Sequence, residues 1–470
     1  MSTGVLVVGG GLAGLLAARR HQRAGRRVVL LEASGTVGGA IAETTLPEAG
    51  SLTLNTGAEA YATGSGAVDT LVAELGLEQR IVAPREGLGS RVVSDAGVHP
   101  APGASVLGIP GHPLAADVRA VLGTVGALRA SIERLLPASF GARDGATVAE
   151  VVRRRLGRRV LERLVAPVVG GVQSADPATL EFAAASPALS RGLAEHGSLT
   201  ATARRLRGRS SGSAGTVVHS LAPTMAALPR TLQSRILAAG GLLRTGVEVV
   251  GIERSGERWQ VLTGRDETLE ADRLVLACPP DAARDLLREA APAVSRAIPQ
   301  APSAAVRLVA LVLDAPALDT HPSGTGALVA AGTAGVRAKA LTHASAKWEH
   351  VQQALREALP AAGSPHLLRL SYGRPGERLP TREEIVDLAL TDASRLLGTP
   401  LTRAQLLASE VIDWDRAMRQ ALPGHRAALE ALTGLLAEQP SLELVGSWRA
   451  GTGIDAIVRA DRTTWEGTTP

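Results

Sequence analysis

The chemistry legible first in this 470-residue chain is that of a glycine-lined turn. Gly9-x-Gly11-x-x-Gly14 follows the β-branched run Gly4–Val8 and opens a stretch, Leu15–Ala24, with helical apolar spacing. In such a turn the first glycine permits the tight reversal, the second lets backbone approach a diphosphate, and the third lets helix and strand touch. The helix N-terminus favours the ligand's negative charge. Glu32 ends the next strand, Arg27–Glu32, about 20 residues on. A carboxylate there accepts hydrogen bonds from adenosine ribose hydroxyls and repels a 2′-phosphate. Gly38–Gly39 adds a second pair of bare backbone N–H groups, which flavin dinucleotides use and NAD does not require. The cofactor expected is FAD, held by Gly9, Gly10, Gly11, Leu12, Ala13, Gly14, Glu32, Ala33, Gly38, Gly39 and Ala40.

Elsewhere the chain offers little other chemistry. Gly324 and Gly326 lie in the wrong context for a second fingerprint, and Gly451-x-Gly453 comes too late to begin one. With no second nucleotide unit to deliver electrons, oxygen is the expected acceptor and an oxidase is favoured over a reductase. The 10 histidines show no metal-ligand spacing and no nucleophile–base grouping, so no metal and no general base are assigned. His99 and His425 read as structural. Cys278, the chain's one cysteine, allows neither an internal disulfide nor a cysteine cluster and suits a core position. Lys347 beside Trp348 reads as the partner of a carboxylate.

The elements that must carry these residues belong to a globular chain, 45% hydrophobic and 20% charged, and its length suggests several domains. Its net charge of +5 comes from arginine, the lysines being Lys339 and Lys347. The arginine-rich runs Val151–Arg163 and Arg204–Arg209 read as solvated helix faces without interleaved aromatics, so nucleic acid is not an expected partner. The apolar N-terminal run has no basic residue before it, and no stretch reaches the about 18 apolar residues of a spanning helix. A cytoplasmic protein without a transmembrane segment is expected. Aromatics make up only 2%, so aliphatic side chains must line any flat-ligand pocket.

A βαβ unit opens the chain; Asp69–Leu77 reads as a helix and Arg91–His99 as a hairpin turning at Ser94–Gly97. Pro100–Pro113 reads as an irregular Pro/Gly-rich segment. Helical periodicity then runs from Leu114 to Arg207, with breaks expected at Pro137, Gly170–Gly171, Pro177 and Pro187. Gly208–Gly215 reads as a linker or lid. Val247–Ile252, Trp259–Leu262 and Arg273–Cys278 return to the first sheet. Strands at Ala305–Leu313, Gly326–Ala331, Ala338–Thr342 and Leu367–Tyr372, with helices at Trp348–Ala358 and Arg382–Leu397, suggest an α+β unit. The fold class is α/β: a Rossmann-like FAD-binding domain (1–62, 216–284, 440–470), an α+β substrate domain (63–99, 285–430) and a helical insert (100–207).

Beyond the fingerprint, the residues resemble the flavin amine-oxidase-like superfamily and, within it, the protoporphyrinogen and coproporphyrinogen III oxidases, along nearly the whole chain. Asn55–Ala60 is similar to the segment that passes the flavin ring, which implies cofactor contacts at Gly57, Ala58, Glu59 and Ala60. Val165–Val172 followed by Ser174–Pro177 is similar to the motif of the family's helical domain. Gly324–Val329, Ala346–Trp348 and Tyr372–Glu377 follow in the family's order. Trp414 with Gly424–His425 resembles a later pair, and Gly451–Ile454 the closing motif. The resemblance implies further cofactor contacts from Val249, Trp414, Thr452, Gly453 and Ile454.

It also implies the activity: FAD-dependent oxidation of coproporphyrinogen III in haem synthesis, with oxygen as acceptor, peroxide as product and transient contact with other haem-synthesis enzymes. Protoporphyrinogen or an amine stays open as substrate. So does an inactive FAD- or porphyrin-binding protein, because Gln173, Ala327 and Ala421 stand where the family often has aromatics. Arg91 and Tyr61 are the substrate candidates, each with a plain reading beside it: a surface hairpin arginine and a core tyrosine.

Overall fold

The protein is described from a computed structural model covering residues 3–208 and 217–466. The Gly208–Gly215 loop therefore lies, apart from Gly208, outside the described residues. The opening unit forms as expected: β1 (Thr3–Val8), α1 (Leu12–Arg23) and β2 (Val28–Leu31). β1 reads as a continuous apolar run because both its faces are covered. Val5 and Val7 pack with Leu15, Leu16 and Leu30; Leu6 and Val8 pack with Leu31, Leu274 and Leu276 on the other side.

The first sheet runs Leu242–Arg244, β2, β1, Thr268–Leu276, all parallel. Leu442–Leu444 adds a further parallel strand beside Leu274–Leu276, and Arg258–Thr263 with Val249–Ser255 extends the Thr268–Leu276 strand antiparallel. Residues 285–298, read above as substrate domain, pack Leu287, Ala291, Val294 and Ile298 with Leu6, Val8 and Leu276 beneath this sheet. Apolar spacing in that short segment fixes a helix face but not the sheet it meets.

The second sheet has the order Leu406–Arg419, Ser303–Asp314, Pro365–Tyr372, Ala340–His343, Gly326–Val329, Arg91–Ser94, Gly97–Pro100, antiparallel except between Gly326–Val329 and Arg91–Ser94. The Arg91–His99 hairpin thus becomes its edge. The helical insert packs Val118, Val152, Leu161, Val165 and Leu189 into its own core, which also takes Val92 from the second sheet.

Three local expectations are corrected. Pro100–Pro113 contains a small hairpin, Ser105–Val106 with Ile109–Pro110. Gly170–Gly171 does not break the chain: the helix Ala166–Gln173 runs through both and ends at Ser174, where φ is 51°. Gly171 serves close approach, since a Cβ there would lie 2.7 Å from Leu328 Cδ2, whereas one on Gly170 would meet nothing within 4 Å. Nor is Val151–Arg163 simply a solvated face. Arg155 is fully buried, paired with Glu133 at 2.8 Å and donating to the carbonyls of Pro137, Phe140 and Gly197.

Candidate functional site

The site is built where the turn between β1 and α1 meets the loop after β2. A Cβ on Gly14 would lie 1.9 Å from the Gly9 carbonyl oxygen, so the helix can sit this close to the strand only with glycine there. Gly38 N–H donates to Gly10 O at 2.9 Å, which stacks the second glycine pair on the first. A Cβ on Gly11 would meet nothing within 4 Å. Open space therefore stands over the N-terminus of α1, flanked by the Gly38–Gly39 backbone. Unfilled backbone donors, the positive end of a helix dipole and room beside them fit a dinucleotide diphosphate.

Glu32 closes the side of the turn next to β2. Its Oε2 accepts from Gly10 N–H at 2.6 Å, and its Oε1 from Ser34 N–H and Oγ–H at 2.8 and 2.6 Å. Val247 N–H donates to Glu32 O at 2.9 Å, which brings the segment ahead of Val249 to this corner. The carboxylate thus braces the turn.

Downstream, the segment 55–60 is held from several sides. Ala58 N–H donates to Ala40 O at 2.9 Å, Trp414 Nε1–H to Thr56 O at 2.9 Å, and Arg369 Nη2–H to Gly57 O at 3.1 Å. Lys347 Nζ lies 2.8 Å from Glu59 Oε1, and Arg369 pairs with the other oxygen. Burial opposes ionisation of Glu59, but Lys347 and then Arg369 outweigh it and hold the carboxyl down to about 2. Two cations on one carboxylate leave net positive charge beside this segment, a field that favours acceptance of negative charge nearby. The closing motif arrives next to it: Ile454 packs with Leu12 and Leu15, and Asp455 bonds Ser65. Thr452 and Gly453 lead into the helix Ile454–Glu466, whose N-terminus adds further backbone donors.

Residues 12–455 match the model of the flavin containing amine oxidoreductases. The chain belongs to this family. This flavin amine oxidoreductase is an FAD-dependent enzyme, and bound FAD supplies a two-electron acceptor that side chains cannot. It is 29% identical over 461 residues to the coproporphyrinogen III oxidase of Mycobacterium leprae, covering 97% of this chain and 95% of that protein. Identity to the Mycobacterium tuberculosis H37Rv coproporphyrinogen III oxidase is 30% over 468 residues, with 97% and 94% covered. A crystal structure from Exiguobacterium sp. 255-15, described as a protoporphyrinogen oxidase, superposes with a TM-score of 0.80 at 23% identity, over 99% of this chain and 98% of that one, and shows the shared fold. No helix among the described residues is long and apolar enough to cross a membrane.

The substrate candidates fare differently. Tyr61 is 2% exposed, packs in the core below α1, and donates its hydroxyl to Asp69 at 2.8 Å, so its role here is packing. Arg91 pairs with Ala327 in register, and the pleat puts both on the face of Val93 and Val329, away from the face on which Val92 and Leu328 meet the helical insert. Ala327 is therefore core beneath the second sheet, and its small side chain does not alter the insert-facing surface. Lys347 has the carboxylate partner expected of it. His425 Nε2 lies 2.9 Å from Trp448 O and His99 Nε2 2.8 Å from Ala96 O, both local structural contacts.

Two buried groups were not singled out by sequence reasoning. Lys339 Nζ donates to Ser174 Oγ at 2.6 Å and Gly373 O at 3.0 Å, tying the helical insert to the second sheet. Burial, with Arg374 adding to it, lowers its pKa to about 7. His343 Nε2 lies 3.0 Å from His366 Nδ1, and His366 Nε2 lies 3.1 Å from Asp319 Oδ1. Burial and then His366 keep His343 neutral, at about 3. Both contacts join residues far apart in the chain, and the available signal was that each residue is a titratable group inside an apolar strand-like run.

Proposed function

We propose that this enzyme oxidises coproporphyrinogen III to coproporphyrin III in haem synthesis, with dioxygen as acceptor and peroxide as product. The observation that carries the reading is collinearity: relatives named coproporphyrinogen III oxidase align over 97% of the chain, helical insert included. The insert is joined to the second sheet through Lys339 and Ser174 and through the close contact of Gly171 with Leu328, so the unit that sets this chain apart from a bare dinucleotide domain is held in fixed relation to the sheet.

In this reading Gly9–Gly14, Glu32–Ala33 and Gly38–Ala40 hold the diphosphate and adenosine, and Val249 borders the adenine. Gly57–Ala60 and Trp414 position the ring, and Thr452–Ile454 present N–H groups to its electron-rich edge. The Glu59–Lys347–Arg369 cluster keeps that edge in a positive field. The macrocycle must lose six electrons, and the chain's part is to orient it, exclude water and keep these charges fixed.

The test is anaerobic mixing of the purified holoenzyme with coproporphyrinogen III, and with protoporphyrinogen in parallel. Loss of the flavin's yellow absorbance, then porphyrin fluorescence and peroxide once oxygen is admitted, is the expected result. Faster bleaching by protoporphyrinogen would reassign the substrate, and a yellow protein that neither compound bleaches would refute the reading.

A further inference from the structure

A cavity of about 610 Å³ lies between the hairpin Glu43–Leu46/Leu52–Asn55 and the helix Glu349–Ala358. Its mouth is at exposed Ser51 and Glu357, its walls include Leu54, Val351, Ala354 and Leu367, and its inner end is formed by Glu59 and Arg369. It thus runs from the surface to the segment assigned above to the flavin ring. No residue of the helical insert lines it. Its lining is mainly apolar, and Arg369, which pairs with Glu59, is the one arginine or lysine among the residues that line it. A macrocycle bearing four carboxylates would find too few cations there to pair them, whereas a small apolar molecule is at home in such a space.

The reaction proposed above needs such a path. Removing six electrons in two-electron steps consumes three dioxygen molecules for each macrocycle. In each turn two electrons and two protons pass from the reduced cofactor to one dioxygen, giving one peroxide and the oxidised cofactor. If the macrocycle stays bound between steps, oxygen must arrive by a way the macrocycle does not block. Resting on that reading, we propose that the cavity walled by Leu54, Val351, Ala354 and Leu367 is the route by which dioxygen reaches the flavin, separate from the substrate's own entrance.

Two readouts test it. Crystals of the holoenzyme under xenon pressure should show xenon in this cavity, and Ala354→Phe and Val351→Phe, which place a ring into it, should remove that density. In the holoenzymes, photoreduced without any porphyrinogen, stopped-flow mixing with oxygen should show a second-order reoxidation constant lowered at least about fivefold in both variants. Anaerobic bleaching by coproporphyrinogen should stay at the wild-type rate. Wild-type reoxidation too slow for an oxidase would remove oxygen as acceptor, and the route with it, whatever the xenon shows. Fast wild-type reoxidation that both variants match, or a wild-type cavity without xenon, would overturn the route alone. Slowed bleaching with unchanged reoxidation would make the cavity the substrate's entrance instead.

Discussion

Gly11 has φ −67° and ψ 175°, a conformation open to any residue, and a Cβ there meets no protein atom within 4 Å. Gly11→Ala is therefore expected to leave the apoprotein's unfolding free energy within about 1 kcal/mol of wild type, the residual cost being a poorer helix cap. The same methyl group occupies the space assigned to the diphosphate. Losing or stretching one charge-assisted backbone hydrogen bond costs about 1.5–3 kcal/mol, which corresponds to a Kd for FAD raised about 10- to 150-fold. Titration of FAD into apoprotein, followed by flavin fluorescence or calorimetry, measures that ratio, and urea denaturation of the apoprotein supplies the control. Gly14→Ala is the counterpart: its Cβ would lie 1.9 Å from Gly9 O, so it should damage the apoprotein itself. A Gly11→Ala protein that binds FAD within about twofold of wild type would show that the diphosphate does not lie over α1, and its placement there would fail.

Other expectations follow from buried charge. Glu59 titrates at about 2 when folded against an ordinary 4.5, so its stabilisation is complete above 4.5 and is lost as pH falls towards 2. Glu59→Gln should cost about 3 kcal/mol at pH 7, with a smaller gap to wild type at pH 3; a pH-independent gap in urea unfolding would count against the ion-pair account. Lys339 has the opposite sense. Its folded value of about 7 lies below the ordinary 10.5, so the folded state gives up a proton, and stability rises with pH between those values. Wild type should gain about 2 kcal/mol between pH 7 and pH 9 that Lys339→Met does not, and parallel pH profiles would contradict this. Arg155→Leu strands the fully buried Glu133 and should cost about 3–5 kcal/mol in thermal or urea unfolding; a loss under about 1 kcal/mol would mean that the pair is not structural.

The dinucleotide corner was legible because each of its requirements is local: a strand, glycines at fixed offsets, a helix and an acid occur within one short stretch. The hairpin at Ser94–Gly97 and the strands around Leu311 and Leu370 were legible for the same reason, through turn residues and uninterrupted apolar runs. The strand Leu406–Arg419 was not. It is a sheet edge carrying Glu410, Asp413, Asp415 and Arg416, and charges that keep an edge from pairing with other chains also hide its alternation. Arg91 shows another limit. Residue type suggested a carboxylate partner, but which face it occupies depends on pairing with Ala327, far along the chain. Gly170–Gly171 looked like a break because a glycine pair weakens a helix on its own, whereas here the contact with Leu328 uses the absent side chain of Gly171. The Lys339–Ser174 latch joins two units that no local pattern connects.

The first sheet draws its parallel strands from residues 3–31, 242–276 and 442–444, and the helix Ile454–Glu466 completes the core under α1. A ribosome has therefore to reach residue 276 before β1 acquires its second neighbour, and residue 454 before the helix that completes the core under α1 begins. The nascent N-terminal third can form local helices but not a competent cofactor pocket. High contact order of this kind makes folding slow.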